Sequence, residues 1–282
     1  MISQDRLFAD GLDLLPTSGW CHAEDLSSAM AGPALLGDGV VVARSHGTKR
    51  PSARYYGSNE FEIPIWVYGI DPVTGLLPSD GGHRQLHLNI DRIKRVFARP
   101  GLRLLHSWAG QGARVAVLDP AADTVTVVRQ RSSPPTARLV IPVRTAGDPF
   151  WADEDPVTQE FSGPTGTIVD LTAFAGATAP IADLQIVLPG PVSNPLLVHG
   201  RRTQQWNGVI PAGRQLLVAT ASWTVSAGTG AAWSPDFRQL TWSGGGLLEL
   251  DPRLDPFALE FHHTGGGSAG GFITARRKYF NP

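Results

Sequence analysis

The chain has 282 residues, 42% of them hydrophobic, and 24 Lys and Arg against 25 Asp and Glu give a net charge of −1. That length suits two domains with sizeable cores, and the balanced charge excludes recognition of nucleic acid or an anionic membrane through a basic surplus. The single cysteine, Cys21, excludes an internal disulfide and a zinc site built from several cysteines.

The N-terminal stretch MISQDRLFADGLDLLP mixes charges into its apolar positions, unlike a secretion signal, and no apolar run approaches the roughly 20 residues of a membrane span. The expectation is a soluble protein made in the cytoplasm. The 32 glycines and 23 prolines separate short runs of Val, Ile and Leu, the pattern of an all-β sandwich or barrel.

In chain order the first predicted strands are Gly39–Arg44 and Phe61–Tyr68. A helix over Arg84–Arg99 follows, because Leu86, Ile90, Ile93 and Phe97 recur at spacings of four, three and four as one apolar stripe. Asp80-Gly81-Gly82 announces it and Pro100-Gly101 stops it. Strands return at Leu102–Trp108, Ala113–Leu118, Thr124–Gln130 and Ala137–Arg144, with Ser132-Ser-Pro-Pro135 read as a β-turn. The acidic, turn-prone stretch Thr145–Pro156 and then Gly163-Pro164 mark a domain boundary, placed between residues 1–158 and 159–282. Beyond it the predicted strands are Thr167–Leu171, Leu184–Leu188, Gln215–Val225, Leu247–Leu250, Phe257–His262 and Gly271–Tyr279. In Phe257–Phe261 the alternation of bulky apolar residues implies one packed and one wet face.

Several short motifs suggest chemistry and each has a plainer account. Gly266-Gly-Ser-Ala-Gly270 matches the G-x-S-x-G pattern of serine hydrolases, but it separates two strand-like runs and no histidine follows Ser268, so a flexible hairpin loop explains it. His83 and His87 stand four apart at the start of the helix without a third ligand or the glutamate of the zinc-protease motif, and a solvated pair is the reading. His262 and His263 are neighbours on a strand and point to opposite faces. Asp153-Glu154-Asp155 lacks the spacing of a calcium loop and reads as an exposed acidic turn. Gly110-Gln-Gly112 leads into a strand, where a dinucleotide site would need a helix, and reads as a hairpin turn. No catalytic residue, metal ligand or cofactor is nominated.

The run Ser58-Asn-Glu-Phe-Glu-Ile-Pro-Ile-Trp-Val-Tyr-Gly69, with Asp71, Gly75 and the helix after it, resembles the N-terminal domain of siphophage distal tail proteins and of the minor tail proteins of actinobacterial phages. The resemblance extends through Asp148-Pro-Phe-Trp151, Ile186–Pro195, Gln205–Gly213 and Arg276–Phe280, close to the whole chain. It implies a mainly β fold: an N-terminal β-sandwich with one flanking α-helix, like tail-tube proteins, and a C-terminal galectin-like or carbohydrate-module-like β-sandwich. It also implies a structural virion protein, not an enzyme. Such a protein forms a homohexameric ring at the tail end, joining the tail tube protein and tape-measure protein to the tail-tip hub and receptor-binding proteins.

A ring-forming domain needs strand edges or a groove that accept a neighbour. Tyr55, Tyr56 and Trp66 crowd around one strand and the turn before it, and aromatic residues are enriched in buried parts of interfaces, so these three are the candidate oligomer interface. Trp66 taken alone reads as core, and the Tyr55-Tyr56 pair divides evenly between core and interface. In the C-terminal half, Trp206 and Trp233 sit in turn-like surroundings and are the candidate contacts to glycan or a partner. Trp223, within an alternating run, is expected to be buried. The alternative function is a carbohydrate-binding adaptor that recognises the host envelope through the C-terminal sandwich.

Overall fold

A computed structural model describes residues 6–24, 26, 28, 32–33, 35–36, 40–41, 48–49, 55–107, 112–122, 125–228, 233–265 and 267–282. The chain is mainly β and divides into two compact units. The first comprises Met1–Leu36, Tyr55–Glu154 and Phe280–Pro282, and the second Gly37–Arg54 and Asp155–Tyr279.

The first unit is built on one sheet that runs through Leu12–Asp13, Arg6–Ala9, Leu102–Ser107, Ala113–Pro120, Thr136–Thr145, Glu60–Tyr68 and Cys21–Ala23. Thr136–Thr145 is its longest strand and pairs with Glu60–Tyr68 from Thr136 to Arg144. Its other edge is shared: Thr136–Val140 pairs with Thr126–Gln130, and Val143–Thr145 pairs with Ala113–Pro120. Pro142 has no N–H to give a ladder, and it falls at the step between those two partners. Glu60–Tyr68 alternates strictly, with Phe61, Ile63, Ile65 and Val67 buried.

The helix spans His83–Phe97 and packs on the Glu60–Tyr68 and Thr136–Thr145 strands. It buries Leu86, Ile90, Ile93 and Phe97, the predicted stripe, together with Asn89. Burying such side chains is worth about 1.5–3 kcal/mol each, far more than the propensity of the segment. Gly82 caps its start at φ 76, and the Asp80 carboxylate accepts the Gly82 N–H at 2.9 Å. Gly69 passes so close that a Cβ on Gly82 would collide with the Gly69 carbonyl oxygen, which pins the start of the helix to the end of the Glu60–Tyr68 strand. The Asn89 amide donates to the carbonyls of Tyr68 and Ile70 at 2.8 and 2.9 Å and so ties the middle of the helix to the same turn.

The second unit is a two-sheet sandwich. One sheet has the order Val157–Gly163, Ala269–Ala275, Gln185–Pro189, Gln215–Ala219, Thr224–Ala227. The other has the order Thr167–Asp170, Ala258–Thr264, Val192–His199, Arg202–Trp206, Leu240–Ser243, and Val209–Ile210 also pairs with Val192–His199. Phe161, Phe174, Ile186, Leu197, Trp206, Leu216, Val218, Leu259, Phe261 and Ile273 form one buried cluster.

Several expectations change in detail. Gln215–Val225 is two strands, Gln215–Ala219 and Thr224–Ala227, because the chain reverses at Trp223, whose φ is 53. Leu216 and Val218 face the core, and Leu217 does not. Leu247–Leu250 buries Leu247, Leu248 and Leu250 without joining a sheet strand; only a bridge from Ile181 reaches Leu250. The glycine-rich loop after Thr264 joins strands of different sheets, so it does not close a hairpin. Gly266 within it lies outside the described residues, as do Trp108–Gln111 and most of Gly39–Arg44.

Candidate functional site

The predicted interface residues do not form one patch. Trp66 sits on the half-buried parity of Glu60–Tyr68, opposite in register to His22 and Arg138, and therefore not in the core. Its indole lies by the Glu24 carboxylate, which accepts two hydrogen bonds from Arg138 at 2.8 and 2.9 Å. The Arg138 hydrogen bonds hold the Glu24 carboxyl below the usual glutamate range. Trp66 is thus the apolar member of a charged surface cluster.

Tyr56 is half-buried in a trio of rings, with centroids 5.1 Å from Phe150 and 5.5 Å from Phe280, which stand 5.3 Å from each other. Edge-to-face packing of this kind is favourable between aromatic quadrupoles. The trio ties the last residues of the chain into the first unit, and Arg114 adds hydrogen bonds to the carbonyls of Asn281 and Pro282 at 3.0 and 2.9 Å. Tyr55 shares the strand Tyr55–Tyr56, which pairs with Leu35–Leu36, but its side chain lies outside the described residues.

The candidate contacts of the C-terminal half need correction. Trp206 is buried at 2% exposure, because it faces into the sandwich from the Arg202–Trp206 strand, so it cannot meet a ligand. Trp233 is half-buried against that core, with its ring 6.3 Å from Trp206. The exposed indoles are Trp223, at 52%, and Trp242, at 38%. They meet edge-to-face at 5.6 Å, and Phe237 lies 5.7 Å from Trp242. Trp223 precedes Thr224–Ala227 and Trp242 lies on Leu240–Ser243, which are edge strands of the two sheets, so the pair bridges one flank of the sandwich.

Two further features of the first unit were not read as sites from sequence, although Asp71 and Gly75 of the first belong to the resemblance. The loop from Asp71 to Asp80 is built around the Asp71 carboxylate, which accepts from the N–H groups of Val73 and Thr74 at 2.9 and 2.8 Å and from the Thr74 hydroxyl. Those bonds, the Thr74 amide first, hold the Asp71 carboxyl below its usual range. The loop also closes on itself through Asp71 N–H to Leu76 O and Gly75 N–H to Asp71 O, with Gly75 at φ 71. So constrained, it still leaves Val73, Leu76 and Leu77 exposed at 90%, 67% and 45%. At the C-terminal end of the helix lies a cleft of about 280 Å³, lined by Phe97, Ala98, Pro120, Val125, Ile141 and Pro142, with Lys94 beside them.

The residues of the other motifs have local partners. His87 lies against the Arg129 guanidinium, and Glu154 pairs with Arg103 at 2.9 Å. His262 contacts Glu260 while His263 is buried. Among the described residues no group of three or more His, Cys, Asp or Glu stands close enough to hold a metal ion. Among them, too, no helix is long and apolar enough to cross a membrane.

No protein-family profile matches the chain, and no curated protein sequence is significantly similar to it. Solved structures are similar. The crystal structure of the Dit (gp 19.1) protein of phage SPP1, described as a paradigm of the hub adsorption apparatus in phages infecting Gram-positive bacteria, superposes with a TM-score of 0.61 at 12% identity. The match covers 98% of this chain and 99% of the SPP1 protein. The chain has the fold of SPP1 Dit. A chain in the phage p2 baseplate structure in its activated conformation with Sr also matches, at 10% identity and a TM-score of 0.37, over 96% of this chain and 97% of that one. The Dit likeness spans both units.

Proposed function

We propose that this chain is a structural virion protein that forms a ring, a homohexamer, at the distal end of a non-contractile phage tail. The observation that carries the reading is the match to SPP1 Dit over nearly the full length of both chains. Coverage at this level supports a common architecture, not a shared module, and the resemblance in the Ser58–Gly69 run points the same way. Fold alone does not transmit function, so the reading rests on the extent of this match together with that run. On this reading the first unit forms the ring and the second the outer sandwich. The ring connects tail tube and tape-measure protein on one side to the tail-tip hub and receptor-binding proteins on the other, and the protein works by assembly and not by turnover. Light scattering and negative-stain imaging of the purified chain test it: sixfold rings support the reading, and a monomer at every concentration, with no copies in tail particles, removes it.

A second reading, a carbohydrate-binding adaptor for the host envelope, is favoured by the exposed Trp223–Trp242 pair and no longer by Trp206. Exposed indole faces stack on sugar rings, and Trp223 is held out by a left-handed backbone that bulky residues rarely adopt. Trp223→Gly suits that backbone and removes the ring. Loss of saturable binding to purified envelope glycan in this variant, with unchanged thermal unfolding, would support the adaptor; equal binding by both proteins would remove it.

A further inference from the structure

We propose that the Asp71–Asp80 loop and the cleft at the C-terminal end of the helix are the two halves of a head-to-tail contact between copies of this chain. The inference rests on the ring reading and names the surfaces that make the ring.

Three observations carry it. First, the loop is an apolar projection on a rigid base. Three aliphatic side chains within five residues stand exposed, on a turn closed by four hydrogen bonds to or from Asp71 and its peptide carbonyl and by the Thr74 hydroxyl. Exposed aliphatic residues scattered singly carry no message, but a cluster on an ordered tip marks an interaction site. Rigidity matters because little conformational entropy remains to be lost on docking.

Second, projection and cleft occupy opposite ends of one element. Gly82 and Gly69 pin the start of the helix to the end of the Glu60–Tyr68 strand from which the loop springs. The cleft lies where the helix finishes, beside Ile141 and Pro142, which pair with Ile63 and Glu62 near the start of that strand. Fifteen helical residues at about 1.5 Å each separate them by roughly 20 Å. One copy therefore cannot fill its own cleft. A knob at one end and a socket at the other make a heterologous contact, which repeats into a ring when its rotation closes.

Third, the two surfaces are complementary in chemistry. The loop carries Asp71 and Asp80 and no basic residue. Lys94, in the last helical turn, lines the cleft beside Ala98, Pro120 and Pro142. A contact that sets opposite charges against each other fixes orientation.

The test uses the full chain. Val73→Asp places a charge on the knob at a site too exposed to disturb folding, and Ala98→Trp fills the socket from an exposed position. Each should weaken assembly by about tenfold or more, read by light scattering across a concentration series. A V73C/A98C double variant should give, on oxidation, a ladder of covalently linked chains whose largest rung is the ring. Cys21 is buried and takes no part, and about 20 Å is too far for a bond within one chain. Rings that persist in V73D and A98W, with no ladder, overturn this contact and leave the ring reading standing. Failure of the native chain to associate at any concentration, again with no ladder and with no copies in tail particles, overturns both.

Discussion

Removing the Trp206 indole takes a buried ring from between the two sheets of the second unit and leaves a large cavity beside Trp233. Trp206→Ala should therefore cost about 3–5 kcal/mol in a denaturant titration; a cost near zero would show a solvent-facing ring. At Glu24 the depressed carboxyl pKa fixes the sign of a pH dependence. The folded value lies below the unfolded one, so the stabilisation is present above the ordinary glutamate pKa and is lost as pH falls through the folded value. Arg138→Gln should move the Glu24 titration midpoint up towards the ordinary value, as read by carboxyl NMR, whereas an unmoved midpoint would mean the guanidinium is not its cause. The Cys21 thiol is pushed up to about 12 by burial and then by the nearby Asp13 carboxylate. Since the thiolate is the nucleophile, alkylation of the native protein should be far slower than in denaturant. Rapid labelling under native conditions would contradict its burial.

At the scale of elements, the most sensitive place is the start of the helix. Gly82→Ala would add a Cβ at positive φ directly against the Gly69 backbone. The loss should be on the order of 2–3 kcal/mol, seen as a lower Tm with a weakened helical signal. This helix was legible in the sequence because its apolar residues keep a single 3.6-residue stripe between clear stop signals. The strands of the first unit were mostly legible as well, since Phe61, Ile63, Ile65 and Val67 alternate with more polar neighbours. Arg202–Trp206 was missed because RTQQW carries little apolar signal, although Gln204 and Trp206 are buried. Around Leu216–Ala219 both parities are apolar, so alternation could not choose the inward face, nor could it register the reversal at Trp223. The candidate contacts suffered most. An indole beside a turn-like Asn-Gly suggests a surface, yet Trp206 lies inside while Trp223 stands out. The Asp71–Asp80 loop gave no periodic signal at all. Its hydrogen-bonding scheme depends on a fold around it, and exposed aliphatic residues look in sequence like buried ones.

At the scale of the molecule, each unit depends on residues far along the chain. Val157–Gly163, the first strand of the second unit, pairs only with Ala269–Ala275, which in turn supplies the other neighbour of Gln185–Pro189. A chain ending at Thr264 should thus lose the cooperative transition of the second unit, while the first unit, short of Phe280–Pro282, should melt early but still fold. A calorimetric trace that kept both transitions would refute this dependence.

The ring trio of Tyr56, Phe150 and Phe280 then acquires a consequence in time. During translation at about 5–20 residues per second, residues 55–154 emerge many seconds before Phe280 can reach them. The first unit stays unlatched until translation has passed Phe280. Products stalled before Ala269 would therefore lack residues that close both units, and synthesis itself would set them apart from longer chains.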